Sequence, residues 1–542
     1  MVSASEFAAN PKNEPIWEYR PGSKERKALD DAIAKYSATE TDIPIVIGDE
    51  EIRSDQVKHQ VMPHDHTHKI AKYYYADKAT IDRAINNCLN ARQDWAAKSI
   101  NERTDTMFRA ADLIADKYRM DVNAATIVGQ SKTIVQAEID AACELIDFLR
   151  FNSYFARQLE SGYQPISSET VTNTMSYRGL EGFVAAISPF NFTAIGGNLC
   201  SAPTAMGNVV LWKPSDTCML SNYVVYRIFR EAGFPAGVIN FVPADGPVFG
   251  ETITTNPNLA AINFTGSVPT FRKLWKSVAQ NLDIYKTFPR LVGECGGKNF
   301  HFVHPTAEVD TVAATTARSA FEYQGQKCSA CGRMYVPQSL WPSIKDKLLD
   351  VTGKLKMGPA ESSDSFMSAV IDDKAFSRIK NYIDHAKNGQ HTKIVAGGNY
   401  DDSKGYFVEP TIVEVDSPDD KIFKEEIFGP VLSVYVYPDA KADDVLKTVK
   451  DQTPYGLTGA VYSQDKGFVE KARFILRDAV GNFYINDKST GSIVGQQPFG
   501  GARLSGTNDK AGGPHYMLKW ASPLTVKETH VPQREWAYPY MG

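Results

Sequence analysis

A cysteine and a glutamate in this chain stand in surroundings that suit nucleophilic catalysis. Cys328 lies in Gln324-Gly325-Gln326-Lys327-Cys328-Ser329, where an Ala-rich segment typical of a helix gives way to a strand-like run at 333–336. Glu294 lies 34 positions earlier in Gly293-Glu294-Cys295-Gly296-Gly297-Lys298, among glycines that let a ligand approach the backbone closely. Since a nucleophilic sulfur needs a base that accepts a proton from a thiol or from water, the pair predicts covalent catalysis. Alone, Cys328 would be interpreted as a small buried hydrophobe and Glu294 as a surface carboxylate; their joint occurrence favours catalysis.

Two strand ends have residue types that could bind a nucleotide. Trp212-Lys213-Pro214-Ser215-Asp216 closes one apolar run and places an ammonium and a carboxylate three residues apart. Phe264-Thr265-Gly266-Ser267 closes another, and residues 268–270 open a predicted helix. The free N–H groups at the start of a helix suit a pyrophosphate. Each motif is weak alone, because a polar residue after a strand is usually a loop residue or a helix cap.

Other chemical motifs are less convincing. No Gly-x-Gly-x-x-Gly follows a strand, and residues 293–298 depart from a phosphate loop both in glycine spacing and at Asn299, so a kinase-like or ATPase function is excluded. Cys328 and Cys331 form a Cys-x-x-Cys, but no second pair of zinc ligands is evident. His64, His66 and His68 alternate along one segment, and we expect a solvated surface strand there, not a metal site.

Composition excludes several classes of protein. A chain of 542 residues predicts two or three domains, and a net charge of −5 argues against binding to nucleic acid or to an anionic membrane. No stretch approaches the roughly 20 apolar residues of a membrane helix. The seven cysteines are scattered and odd in number, which suits a reducing compartment. The first 30 residues show neither a secretory apolar core nor the Arg-rich, acid-poor pattern of an organelle import signal.

The pattern of apolar residues predicts the elements that position these side chains. Residues 1–75 are predicted to be irregular, with a charged helix near 24–36 and short strand-like pieces such as 43–47. Residues 78–159 are predicted to form successive amphipathic helices. Four near-continuous apolar runs follow, with helices between the first three, which predicts a parallel sheet covered on both faces; they are residues 182–188, 208–212, 238–242 and 259–264. A second strand-and-helix series begins near residue 300. Residues 170–177 and the chain from 518 onward alternate like edge strands that need a partner.

Seven motifs in this order resemble the aldehyde dehydrogenase superfamily. The resemblance covers residues 45–530 and includes Ser188-Pro189-Phe190-Asn191-Phe192, Trp212-Lys213-Pro214-Ser215, Phe264-Thr265-Gly266-Ser267, Glu294-Cys295-Gly296-Gly297-Lys298, Gly325-Gln326-Lys327-Cys328, Glu426-Ile427-Phe428-Gly429-Pro430 and Pro498-Phe499-Gly500-Gly501. It implies an α/β fold with a Rossmann-like NAD-binding domain, an α/β catalytic domain and a β oligomerisation flap. The boundaries expected are 1–161 for the N-terminal region and first part of the NAD-binding domain, 162–180 for the first flap strands, 181–297 for the rest of that domain, 298–505 for the catalytic domain and 506–542 for the tail with the last flap strand.

The resemblance also implies roles for individual residues. Cys328 would attack an aldehyde carbon, the backbone N–H of Cys328 and the amide of Asn191 would hold the oxyanion, and Glu294 would activate water. NAD is the implied cofactor, and a carboxylate at Asp216 would repel the 2′-phosphate of NADP. The implied cofactor-binding residues are Ser188, Phe190, Lys213, Asp216, Gly266, Ser267, Val268, Pro269, Thr270, Glu426 and Phe428. No metal is expected.

Substrate choice is implied by two further contexts, Gly325 to Cys331 and residues 487–497, which resemble the branch of the family that oxidises L-glutamate γ-semialdehyde. Ser329, Gly491 and Ser492 would hold the substrate carboxylate, and Phe192 and Phe499 would enclose its aliphatic stem. The branch further implies proline degradation, a homodimer paired through the flap, and a location in the mitochondrial matrix. No nucleic-acid partner or membrane insertion is expected.

Two alternatives remain open at this stage. The first is an aldehyde dehydrogenase with another specificity, such as succinate semialdehyde or long-chain aldehydes. The second is a non-catalytic binding protein on the same scaffold, crystallin-like or a nucleic-acid binder. Intact Cys328, Glu294 and Asn191 speak against lost catalysis, and the acidic balance speaks against nucleic acid.

Overall fold

The computed structural model describes residues 2–542, and its N-terminal region is more regular than the sequence indicates. Helices α1 (Ala4–Ala9) and α2 (Lys24–Ala38) each begin after a capping serine, which confirms the predicted charged helix. The expected strand-like piece at 43–47 is confirmed, and the segment is more regular than expected, because it contains five strands: β1 (Thr41–Ile43), β2 (Ile45–Ile47), β3 (Glu50–Ile52), β4 (Val57–Met62) and β5 (Asp65–Tyr74). Pro44 separates β1 from β2, since proline has no N–H to give to a ladder.

A helical layer comes next, as the periodicity predicts. It contains α3 (Lys78–Ala97), α4 (Ile100–Ala115), α5 (Arg119–Gln130), α6 (Ile134–Ala137) and α7 (Glu144–Gly162). A π-helical turn, Glu138–Cys143, joins α6 to α7. Such wider turns are rare and are frequently found at functional sites, because they rotate the side chains that follow.

The first large sheet confirms the predicted parallel arrangement. After β6 (Val171–Gly179) come β7 (Phe183–Ile187), α8 (Thr193–Ala205), β8 (Val209–Lys213), α9 (Met219–Ala232), β9 (Ile239–Phe241), α10 (Gly246–Thr254), β10 (Leu259–Thr265), α11 (Val268–Gln280) and β11 (Arg290–Glu294). The strand order is β11-β10-β7-β8-β9-β2-β3, and the first five strands are parallel. Alternate side chains of β7 and β8 enter separate apolar clusters on the two faces, so both faces are buried.

The second large sheet follows after a short connection. Its region contains β12 (Asn299–Val303), α12 (Val309–Phe321), β13 (Cys331–Pro337), α13 (Trp341–Lys354), α14 (Asp373–Asn388), β14 (Thr392–Ala396), β15 (Tyr400–Asp401), β16 (Phe407–Val408), β17 (Thr411–Val415), α15 (Lys421–Lys424), β18 (Val431–Tyr437), α16 (Ala442–Val449), β19 (Tyr455–Gly456), β20 (Thr458–Tyr462), α17 (Lys466–Leu476) and β21 (Asn482–Ile485). The order is β14-β17-β18-β13-β12-β20-β21, with only β14 antiparallel to its neighbour.

The chain ends in β22 (Ala502–Arg503), α18 (Pro514–Leu518) and β23 (Ala521–Thr529). β23 pairs antiparallel with β6 over nine residues and forms a two-stranded ribbon. The ribbon has outward apolar side chains at Leu524 and Val526, which are 41% and 49% exposed. None of the helices within residues 2–542 is long and apolar enough to cross a membrane.

The expectation of a solvated histidine strand is wrong for His64. Its ring is 5% exposed, with Nδ1 2.8 Å from the Ser131 hydroxyl and Nε2 3.1 Å from the Glu361 carboxylate. His64 lies in the turn between β4 and β5, which folds back onto the helical layer. Alternation alone does not reveal this, because the burial comes from residues far away in the chain.

Candidate active site

The chain before Cys328 is held in a strained conformation. Tyr323, Gln324 and Gly325 have φ angles of 51°, 54° and 65°, three consecutive left-handed residues in the 3₁₀ turn after α12. Each non-glycine residue in that region costs on the order of 1 kcal/mol or more, so surrounding contacts must impose it. The Tyr323 hydroxyl donates to the Gln130 carbonyl at 3.0 Å, and the Gln324 amide donates to the Ala369 carbonyl at 2.6 Å. The turn is thereby fixed against two other parts of the fold.

The residues on either side of the Cys328 sulfur are anchored from the neighbouring strand and loop. Asn299, at the start of β12, donates its amide to the carbonyls of Cys328 at 2.7 Å and Ala330 at 2.9 Å. The Ser489 hydroxyl donates to the Ser329 carbonyl at 3.1 Å. The backbone around the nucleophile is therefore pre-positioned, as an attacking group requires.

Cys328 differs from the other cysteines in its access to solvent. The other six are buried, whereas Cys328 is partly exposed and lines a cavity of ≈ 240 Å³. Burial raises the pKa of the Cys328 thiol, and the carboxylates of Glu294, Glu426 and Glu144 raise it further. The sulfur is therefore neutral before reaction and needs a base to become a nucleophile.

Glu294 is a candidate general base in the same cavity. It ends β11, lines the same cavity as Cys328, and its Oε2 is buried without a hydrogen-bond partner among residues 2–542. Burial raises its pKa well above the ordinary value, and Lys510 partly opposes the rise. At Gly500 a Cβ would lie 3.0 Å from Glu294 Oε1, so glycine leaves room for the carboxylate. A carboxyl with a raised pKa and a free oxygen suits general base catalysis near neutral pH.

Asn191 lies beside the nucleophile loop. It is 4% exposed, and its Nδ2 donates to the Gln326 carbonyl at 3.0 Å, two residues before Cys328. An amide nitrogen has two N–H donors, so the second remains available for an oxyanion. The structure thus places Asn191, Cys328 and Glu294 around one region, although their sequence positions span 137 residues.

Four adjacent parallel strands end at one edge of the first sheet. Ile187 is in register with Lys213 and with Phe264, and Thr265 is in register with Glu294. The residues that follow these ends therefore share a crevice at the carboxyl edge, the usual ligand position in open α/β sheets. Ser188 follows β7 and accepts a hydrogen bond from the Trp212 indole at 2.6 Å.

The helix mouth at this edge has the geometry that the sequence predicts. Gly266 donates its N–H to the Glu294 carbonyl at 3.0 Å, and Ser267 caps α11. Val268, Pro269 and Thr270 form the first turn of α11. Pro269 has no N–H and the Thr270 N–H donates to the Ser267 hydroxyl, so the Val268 N–H remains open beside the strand ends. At Gly266 a Cβ would meet the Phe264 ring at 2.7 Å, so only glycine fits this approach.

The remaining cofactor-binding candidates lie around the same crevice. Asp216 accepts from the Tyr75 hydroxyl at 2.6 Å through Oδ2, while its Oδ1 is buried and has no partner within residues 2–542. Burial lowers the pKa of Lys213, and Asp216 counteracts the fall. Glu426 accepts from the Gly297 N–H at 2.8 Å, and burial raises its pKa to about 7.

Two aromatic rings from different sheets meet nearby. Phe190 and Phe428 pack edge to face with ring centres 5.8 Å apart. Phe428 has a φ of 55°, which is unusual for an aromatic residue and signals a constrained turn. The pair therefore joins the first sheet's loop to the loop before β18.

All five substrate-binding candidates line the cavity together with Cys328 and Glu294; they are Phe192, Ser329, Gly491, Ser492 and Phe499. Lys132 lies over the Phe192 ring, with Nζ 4.2 Å from its centre. Gly491 has a φ of 80°, a conformation that exposes backbone donors and that glycine adopts readily. The lining of the cavity thus includes hydroxyl groups at Ser329 and Ser492 and two aromatic rings.

The sequence analysis did not identify a group of acidic residues that also lines the cavity. The π-helical turn and α7 place Asp140, Glu144 and Asp147 along the cavity, at spacings of four and three residues in an otherwise apolar run. Asp140 pairs with Lys132 at 2.5 Å and with Lys327 at 3.2 Å, which balances its charge. The carboxylate spacing in an apolar helix was a signal that could have found this wall.

Glu144 differs from Asp140 because it lacks an ion-pair partner at contact distance in the described part of the chain. Its Oε2 is buried without a hydrogen-bond partner within residues 2–542, and burial raises its pKa well above the ordinary value, with Asp140 adding to the rise. A cationic ligand group in the cavity would stabilise its ionised form. No group of three or more potential metal-binding side chains occurs within residues 2–542.

Comparisons with known proteins agree with this geometry. The model of the Aldehyde dehydrogenase family matches residues 52–526. The mitochondrial Delta-1-pyrroline-5-carboxylate dehydrogenase of Danio rerio is 60% identical over 536 residues, covering 99% of this chain and 96% of the relative. The Homo sapiens protein of the same name is 61% identical over 530 residues, covering 98% and 94%. The crystal structure of the Mycobacterium tuberculosis Delta-pyrroline-5-carboxylate dehydrogenase bound with NAD has a TM-score of 0.94, 45% identity and 98% coverage of both chains.

Proposed function

The chain belongs to the aldehyde dehydrogenase family, and from that premise we propose that it oxidises L-glutamate γ-semialdehyde to L-glutamate with NAD. This is a step of proline degradation, and the semialdehyde is the open form of Δ1-pyrroline-5-carboxylate. The observation that carries the proposal is one cavity lined by Cys328, Glu294, the donors at 491–492 and the unpaired carboxylate of Glu144. A nucleophile, a base and polar groups that suit the α-carboxylate and the α-ammonium of the substrate thus line the same cavity.

The first chemical step forms a bond between the Cys328 sulfur and the aldehyde carbon. The thiol proton passes to water in the cavity, and the carbonyl electrons move to oxygen. The backbone N–H of Cys328 and the Asn191 amide hold that oxyanion. Pre-placed neutral donors in a dry site stabilise such charge, and loss of one commonly costs about 100- to 1000-fold in rate.

When bound, NAD accepts the hydride that the carbon loses, and a thioester to Cys328 remains. Glu294 then removes a proton from water, the oxygen attacks the thioester carbon, and the C–S bond breaks. The acid is released and the sulfur recovers its proton. The raised pKa of Glu294 makes it a stronger base once ionised, which suits removal of a proton from water.

The residues at the carboxyl edge of the first sheet fit NAD. The unpartnered Asp216 Oδ1 is an acceptor for ribose hydroxyls, and the Val268 N–H in the first turn of α11 is a donor for a pyrophosphate. Lys213 and Glu426 would contact the riboses, and Ser188 and the Phe190–Phe428 pair would border the nicotinamide side. The Asp216 carboxylate disfavours a 2′-phosphate, so NAD is preferred over NADP.

Substrate recognition would use the polar and aromatic side chains that line the cavity. Ser329, Gly491 and Ser492 would donate to the α-carboxylate, while Phe192 and Phe499 would enclose the methylene stem. The Glu144 carboxylate would bind the α-ammonium group. A carboxylate that gains a cation stays ionised, so the raised pKa of Glu144 falls when substrate binds.

Replacement of Glu144 tests this assignment. In Glu144→Gln we expect KM for glutamate semialdehyde to rise about 10- to 100-fold, the effect of losing one charged hydrogen bond. KM for succinate semialdehyde, which has no amino group, should stay within about twofold. Glu160→Gln, at an exposed position of the same helix, serves as the matched control. Equal effects on both aldehydes would contradict the ammonium contact.

The activity itself is tested by following NADH absorbance with Δ1-pyrroline-5-carboxylate. We expect kcat/KM for glutamate semialdehyde to exceed that for succinate semialdehyde by at least about tenfold, because only glutamate semialdehyde has an ammonium group that Glu144 can bind. Preference for succinate semialdehyde or a long-chain aldehyde would support the alternative specificity instead.

Location and assembly belong to the same proposal. The relatives carry the word mitochondrial in their names, and a matrix location fits a reducing compartment for the seven unpaired cysteines. The β6–β23 ribbon, with exposed Leu524 and Val526, would pair across a homodimer, since a two-stranded ribbon is marginal alone.

A further inference from the structure

The segment 13–19, called here the N-terminal arm, lies as extended chain against the helical layer and is held by buried charges. The Glu14 carboxylate accepts from Arg119 at 2.6 Å and from Arg150 at 2.7 Å. The Tyr19 hydroxyl and the Trp17 N–H both donate to Glu138, at 2.7 Å and 2.9 Å. This degree of attachment is unusual for a chain terminus, which is poorly ordered unless tied down.

The arm also forms part of the substrate cavity. Asn13, Glu14 and Ile16 contribute to its lining, between α7 and the loop 489–497. That loop contains Gly491 and Ser492, the proposed donors to the substrate carboxylate, and is called here the carboxylate loop. The arm therefore lines the same cavity as Cys328 and the carboxylate loop.

Asn13 joins the two walls with every polar group of its side chain. Nδ2 donates to Asp147 Oδ2 and to the Val494 carbonyl, both at 2.8 Å, and Oδ1 accepts from Gln496 Nε2 at 2.7 Å. The Glu14 N–H completes the cluster by donating to Asp147 Oδ1 at 2.7 Å. Because the Asn13 amide uses both its donor hydrogens and its acceptor oxygen, it fixes the distance and the orientation between α7 and the carboxylate loop.

The carboxylate loop needs such a support because its own backbone is permissive. Gly491 and Gly495 have φ angles of 80° and 79°, and glycine has many alternative conformations. Within the loop, the N–H groups of Gln496 and Gln497 share the Ile493 carbonyl at 3.0 Å and 2.9 Å. Val494 packs in the apolar core and the Gly495 N–H donates to the Gly512 carbonyl, and Asn13 adds a polar bridge from this half of the loop to α7.

We propose that Asn13 is a positioning residue for substrate recognition: it fixes the carboxylate loop against α7, so that the N-terminal arm sets the preference for aldehydes that carry a carboxylate. The inference rests on the proposed function, because it needs the loop to bind the substrate carboxylate. The Asn13 side chain hydrogen-bonds to Asp147, Val494 and Gln496, none of which is a catalytic or cofactor-binding candidate, so we expect its effect to be confined to substrate recognition.

The test compares two aldehydes in Asn13→Ala. KM for glutamate semialdehyde should rise about tenfold, as expected from losing one or two hydrogen bonds that orient the site. Propanal has no carboxylate, so its kcat/KM should stay within about twofold, and KM for NAD should be unchanged. Lys12→Ala changes the exposed neighbour and should match the wild type for both aldehydes.

A second variant approaches the bridge from the other side. Gln496→Ala, at an exposed position, leaves the core intact and should raise KM for glutamate semialdehyde by a similar factor. The double variant should be little worse than either single variant, because both remove one shared bridge. Far-ultraviolet circular dichroism and the melting temperature show whether each variant is folded.

The outcomes separate this inference from the proposed function. Failure of the wild type to oxidise glutamate semialdehyde would overturn the proposed function and the carboxylate loop with it. Wild-type turnover with an equal loss on both aldehydes in Asn13→Ala, or with no loss, would overturn the role of Asn13 alone. Additive effects in the double variant would also contradict a shared bridge.

Discussion

Replacing Cys328 by alanine is expected to abolish aldehyde oxidation, by at least about 10⁴-fold in kcat, because the bond to the aldehyde carbon forms through its sulfur. Cys328 is the one partly exposed cysteine among the seven and lines the cavity, whereas the others are buried. Removing a single sulfur atom from an open cavity leaves the first sheet and its strand ends unchanged. Binding of NAD, followed by calorimetric titration, should therefore persist with a Kd within about threefold of the wild type.

Cys331→Ala provides the matched control for this experiment. Cys331 lies three residues further along the chain, is 1% exposed, and directs its thiol to the Arg333 carbonyl at 3.4 Å. Turnover should survive in that variant. Retained turnover in Cys328→Ala would instead refute the assignment of the nucleophile.

Replacing Glu294 by glutamine should separate the two halves of the reaction. Without a carboxylate to take a proton from water, hydrolysis of the thioester should slow by about 10²- to 10⁴-fold. One NADH per site should still form in the first turnover, so stopped-flow absorbance should show a burst followed by a slow phase. Loss of the burst as well would count against a role confined to activating water.

The pH dependence gives the same variant a second readout. Burial raises the pKa of Glu294, so its carboxylate is protonated at low pH and cannot act as a base there. Thioester hydrolysis in the wild type should therefore rise as pH increases through that raised pKa, and in Glu294→Gln this rise should disappear. Glu251→Gln, on the exposed surface of α10, should keep the wild-type profile.

Much of the site was readable in the sequence because its parts are local motifs. The turn around Cys328, the glycines around Glu294 and the strand ends at Lys213 and Gly266 each lie within a few consecutive residues. Continuous apolar runs predicted a parallel sheet, and the carboxyl ends of parallel strands meet at one edge. The structure places Lys213, Gly266 and Glu294 at the carboxyl edge of the first sheet, and Cys328, which precedes the second sheet's β13, lines the same cavity as Glu294.

Other features could not be inferred from local patterns. The alternation of His64, His66 and His68 predicted an exposed strand, but His64 is buried by contacts with Ser131 and Glu361. The carboxylate wall at Glu144 depends on a π-helical turn, whose extra residue rotates the following side chains. The spacing of apolar residues does not reveal such a turn, because its hydrogen bonds span five residues where those of an α-helix span four.

The sequence by itself determined the chemistry of this protein, since the nucleophile, the base and the nucleotide-binding strand ends are each a short run of residue types that physical chemistry restricts to few uses. Only the tertiary structure decided what encloses them. Asn13 and Val494 are separated by 481 positions and hydrogen-bond across the substrate cavity. Contacts of this kind depend on how whole layers pack, and packing of distant segments leaves no pattern in either segment alone.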